Sequence, residues 1–85
     1  MTPAGVISEA LTILDACGLD RTELKVATGR REAIIRRGRR PSGTRVTLAR
    51  RGVVWYVTGG GVHWKGVSRH AAATQIASIL ETGWR

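Results

Sequence analysis

Residues 30–51 carry nine arginines and one carboxylate, Glu32. The surplus of eight equals the net charge of the whole chain, +8. Outside the window Arg21, Lys25, Lys65, Arg69 and Arg85 are balanced by Glu9, Asp15, Asp20, Glu23 and Glu81. Clustered cations without interleaved acids repel one another and oppose a compact state unless an anion relieves them. Any fold for this chain must therefore carry the segment where water or an anionic partner can reach it.

With 85 residues, a single small basic domain is expected, able to bury roughly 60–65% of its unfolded surface. Phe is absent, and the apolar stock is twenty Val, Ile and Leu, ten Ala and three Trp. That supports one thin two-layer core. No apolar run approaches the ~20 residues of a membrane span, so no membrane partner is expected. "MTPAGVISEALTILDA" does not read as a signal peptide, having no basic start and carrying Glu9 and Asp15. One cysteine, Cys17, excludes an intramolecular disulfide and a Cys-based zinc site. A reducing, cytoplasmic compartment fits this usage. Cys17 itself continues an apolar stripe and is expected to be buried.

Two helices bracket the chain. Thr2 can cap the first, Pro3 suits its first position and Gly18 can end it. Val6, Ile7, Ala10, Leu11, Leu14 and Cys17 recur at helical spacing. The second helix runs from Ser68, a good N-cap, to about Thr82, with Gly83 as its stop. Its inward stripe is Ala72, Ile76, Ile79 and Leu80.

Between the helices the period changes. "RVTLARRG" and "VVWYVTG" are rich in β-branched and aromatic residues and join around Arg51–Gly52, as in a hairpin. Val46 and Leu48 alternate with Arg45, Thr47 and Ala49, giving one dry and one wet face. Gly59, Gly60 and Gly61 allow a second tight turn before "VHWKG", and "RPSG" at 40–43 is a loop. Residues 20–38 admit two readings. As strands, "ELKVAT" and "EAIIRRG" pair across Gly29–Arg31. As helices, Leu24, Ala27, Ile34 and Ile35 share a face broken at Gly29. Val26, Thr28 and the Ile34–Ile35 pair favour strands. The expected fold is α+β, with two helices packed on a small antiparallel sheet in α-β-β-β-α order and room for an extra hairpin strand.

Catalytic and metal chemistry find little footing. Gly61, Gly66 and Ser68 before a helix mimic a phosphate-binding loop, but Val67 stands where the lysine must be. His63 and His70 are the only histidines, and no acids or thiols cluster near them in sequence. No metal, cofactor or enzymatic activity is therefore expected. Trp55 and Tyr56 must point to opposite faces of a strand, so one can fill the core while the other stays outside.

"GVSRHAAATQIASIL", residues 66–80, resembles the start of the second helix in double-stranded RNA-binding domains. Gly66, Ser68, Arg69, His70, Ala72, Ala77 and Leu80 match in spacing, whereas His70 replaces a usual lysine and Ala73 another basic position. The resemblance implies an anion site at Ser68, Arg69 and His70, where helix N–H groups are free.

Arginine outnumbers lysine twelve to two, and guanidinium forks onto phosphate at any working pH. The composition points to non-enzymatic binding to DNA or RNA phosphates with weak sequence preference. The expected contact residues are Arg30, Arg31, Arg36, Arg37, Arg39, Arg40, Arg45, Arg50, Arg51 and Arg69. Two alternatives remain: docking on an acidic protein as an inhibitor or adaptor, and a winged helix-turn-helix regulator with residues 30–37 in the major groove.

Overall fold

The computed structural model describes residues 2–38 and 43–82. Its elements are α1 (Pro3–Ala16), a 3-10 turn (Arg21–Glu23), β1 (Leu24–Thr28), β2 (Glu32–Arg37), β3 (Thr44–Arg51), β4 (Val54–Gly59), β5 (Val62–Gly66) and α2 (Arg69–Thr82). The strands form one antiparallel meander in sequence order. The two-helix, antiparallel-sheet architecture agrees with the expectation, and the sheet has five strands.

Residues 24–37 are a hairpin because their apolar side chains follow period two. Ala33 and Ile35 are buried on one face while Ile34 lies on the other. The helical reading of 20–38 is thereby corrected. Residues 32–37 are strand, so the winged helix-turn-helix alternative has no recognition helix there.

Hairpin geometry at β3–β4 and β4–β5 is set by glycine. Arg51 pairs with Val54, leaving Gly52 (φ 61°) and Val53 as the turn. Gly59 pairs with Val62 around Gly60 (φ 53°) and Gly61 (φ 81°). Both use the positive φ that matches strand twist in two-residue hairpins.

Both helices cover the same sheet face. Val6, Ile7, Ala10 and Leu14 of α1 join Ala72, Ala73, Ile76, Ala77, Ile79 and Leu80 of α2. They pack on Ala33, Ile35, Val46, Leu48, Trp55 and Val57. In α2 the Ser68 hydroxyl accepts from the Ala71 N–H at 3.1 Å, as its N-cap role requires. In α1 the cap is made by backbone alone. The Thr2 carbonyl accepts from Gly5, and the hydroxyl makes no cap bond. The expected burial of Cys17 is also corrected, because the residue falls past the last helical turn and is exposed. Partial desolvation and then the Glu81 carboxylate raise its pKa above the ordinary thiol range. Gly83, Arg39, Arg40 and the loop residues Pro41 and Ser42 lie outside the described residues.

Candidate functional site

The sheet face turned away from the helices collects the cations. Strand parity and register place Lys25, Arg36 and Arg45 side by side across β1, β2 and β3. With neighbouring strands ~4.8 Å apart, this row spans about 10 Å. The next row is Ala27, Ile34, Thr47, Thr58 and His63. Beyond it lie Glu32, Ala49, Tyr56 and Lys65, and then Arg51 opposite Val54. No residue of this face is buried.

Charge on the face is almost one-signed. Lys25, Arg36, Arg45, Arg51 and Lys65 share it with a single carboxylate, Glu32. Among the described residues, none of these five cations forms a salt bridge. Like charges opposite one another across strands are destabilising. The Lys25–Arg36–Arg45 row is therefore held against its own repulsion by the core on the far side.

A second group of arginines caps one end of the sheet. Arg30 and Arg31 in the β1–β2 turn and Arg50 and Arg51 at the β3–β4 turn line an open concavity of about 660 Å³, together with Glu32, Ala49 and Gly52. The turns are joined by the Arg50 N–H donating to the Arg31 carbonyl at 2.7 Å. Arg50 also donates from Nε to the Gly52 carbonyl (3.0 Å), and its guanidinium lies 5.4 Å from the Trp55 ring centroid. Arg51 belongs to both groups, so the face and the end are continuous.

Arg37 is diverted to a structural task. Its parity turns it toward the helices, where only 13% of the side chain is exposed. Nη1 donates to the Leu80 carbonyl at 2.8 Å and Nε to the Glu23 carboxylate at 3.3 Å. It thus satisfies a carbonyl in the last turn of α2, where the helix dipole favours a cation. Arg69 stands at the start of α2. Beside it the His70 Nδ1 is 2.7 Å from the Glu9 carboxylate, and the Ser68 hydroxyl is engaged in its cap. The corner where the resemblance implies an anion site thus already holds a carboxylate.

Lys25 and Lys65 were not among the expected contact residues, because in sequence they belong to the charge-balanced remainder. Carrying the strand alternation outward from β2 and β4 would have found them. Trp55 is buried and Tyr56 lies on the open face. Gly66, one of the phosphate-loop letters, makes room for an aromatic ring: a Cβ there would sit 2.7 Å from the Trp64 indole.

Among the described residues no cluster of three or more His, Cys, Asp or Glu could hold a metal. No described helix is long and apolar enough to cross a membrane. Comparison with protein families, curated proteins and solved structures finds no match for this chain. The likeness to double-stranded RNA-binding domains therefore rests on residues 66–80 alone, and the sheet that α2 packs on has five strands.

Proposed function

We propose that this protein binds nucleic-acid phosphates non-enzymatically through the open face of its sheet. Lys25, Arg36, Arg45, Arg51 and Lys65 supply the contacts, and the turn-end arginines Arg30, Arg31 and Arg50 extend them. The observation that carries this reading is the in-register Lys25–Arg36–Arg45 row on a face with one carboxylate. A run of phosphates relieves its repulsion and gains charge-assisted hydrogen bonds in the same step. Such contacts position a protein without reading bases, so sequence preference is weak. The reading also assigns the protein to the cytoplasm, where nucleic acid is at hand and an exposed thiol such as Cys17 stays reduced.

Fluorescence anisotropy with labelled DNA and RNA oligonucleotides tests the proposal. Binding at low salt that is lost as salt rises is expected. Absence of binding to every oligonucleotide in dilute buffer would overturn it. Recovery of an acidic protein partner that survives nuclease treatment, with no oligonucleotide bound, would favour the inhibitor or adaptor alternative instead.

A further inference from the structure

Resting on that reading, we propose that the preferred ligand is single-stranded nucleic acid, with one base stacked on Tyr56. Three observations carry the inference. First, Tyr56 is the one aromatic ring of β4 that faces away from the core, since its neighbour Trp55 is 4% exposed on the helix side. Second, its cross-strand neighbours on the open face are Ala49 and Lys65. Ala49 is too small to cover the ring, and Lys65 is long enough to swing aside. The Arg51 guanidinium stands over the ring at 5.9 Å from its centroid, near the outer limit of cation–π contact, and on a long exposed side chain it can swing aside for a base. Third, cations stand on both sides of Tyr56. Arg51 and Lys65 are close by, and the Lys25–Arg36–Arg45 row lies beyond Ala27, Ile34, Thr47, Thr58 and His63.

An aromatic face with cations on either side is the arrangement that single strands use. Bases stack on the ring while the backbone follows the charge. A duplex keeps its base faces stacked inside and offers none to Tyr56. Nor does the open sheet face raise a helix able to enter a groove, both helices lying on the opposite side.

The test compares a labelled oligothymidine strand with a duplex of equal length, at fixed low salt. The parent protein is expected to bind the single strand more tightly. Tyr56→Leu should weaken single-strand binding by about 5- to 150-fold, the usual range for one stacked base. The same substitution should leave duplex binding and the salt dependence unchanged, while Tyr56→Phe keeps the ring and binds like the parent. Circular dichroism of both variants checks that the fold persists. Tighter binding to duplex than to single strand, or a Tyr56→Leu variant equal to the parent, would overturn the inference while leaving phosphate binding by the face intact. Failure to bind either oligonucleotide or its RNA counterpart would overturn both.

Discussion

Replacing the in-register row with threonines, as Lys25→Thr, Arg36→Thr and Arg45→Thr together, separates a positioned interface from mere net charge. Threonine preserves strand preference, and all three side chains lie on the face opposite the core. On duplex DNA each neutralised phosphate contributes about −0.9 to the slope of log affinity against log salt. Five face cations therefore give a slope near −4.5, a loss of about 500-fold between roughly 50 and 200 mM salt. Removing three leaves about −1.8 and a loss of only ~12-fold over the same range. Engagement of the turn-end arginines deepens both slopes equally and leaves the difference of about 2.7 unchanged. A control carries the same charge change on the helix side, with Ser8→Glu, Thr12→Glu and Thr74→Glu at exposed positions. Anisotropy titrations at several salt concentrations read all three proteins. A shallower slope is expected for the threonine variant and a slope close to the parent for the glutamate variant. Equal slopes for the two variants would refute a positioned interface, because total charge and not its placement would then govern binding. The threonine variant should also unfold at no lower urea concentration than the parent in dilute buffer, since cross-strand repulsion has been removed.

Arg37→Met should cost about 1.5–3 kcal/mol of stability, the value of a hydrogen bond with a charged partner such as the one Arg37 makes to the Leu80 carbonyl. It should leave the salt slope of binding unchanged, and urea denaturation together with the same titrations checks both. Asp20 accepts from the Thr22 N–H at 2.9 Å, which lowers its carboxyl pKa below the ordinary value. The unfolded chain binds that proton more readily, so this stabilisation is full above the unfolded pKa of about 3.9 and is lost as pH falls through the lowered folded value. Asp20→Ala should therefore unfold at lower urea than the parent at neutral pH, and the gap should close in strong acid. A gap that persists there would assign the loss to something other than the ionised carboxylate.

Much of the fold was legible from periodicity because the core obeys it strictly. The inward stripe of α2, the alternation of Val46 and Leu48 with Arg45, Thr47 and Ala49, and the hairpin glycines each follow from local chemistry, and each is where it was expected. Cys17 misled because a helical stripe does not announce the turn on which the helix stops. Thr2 takes the cap position as expected, but its carbonyl and not its hydroxyl makes the bond, because propensity for the position does not choose between the two acceptors. The two lysines escaped because a window drawn along the chain ignores register. Lys25 is eleven residues from Arg36 in sequence, yet directly opposite it in the sheet.

The same geometry explains why arginine count alone was a poor guide to a surface. Adjacent residues on a strand face opposite ways, so each Arg-Arg pair within an element must divide. Arg36 faces out while Arg37 turns in to the end of α2, and Arg51 joins the open face while Arg50 lies beside Trp55. Doubling an arginine on a strand therefore adds one charge to the face and one to the other side, where it needs a structural partner or a sheet end to occupy. Arg37 found the former at Leu80 and Glu23, and Arg50 the latter at the Gly52 turn. What concentrates charge on the open face is register: three neighbouring strands each present a cation at the same level. A single-residue slip of β2 against its neighbours would turn Arg36 inward and Arg37 outward, and would also expel Ala33 and Ile35 from the core. The packing that stabilises the sheet thus also fixes which guanidinium groups a polyanion can reach.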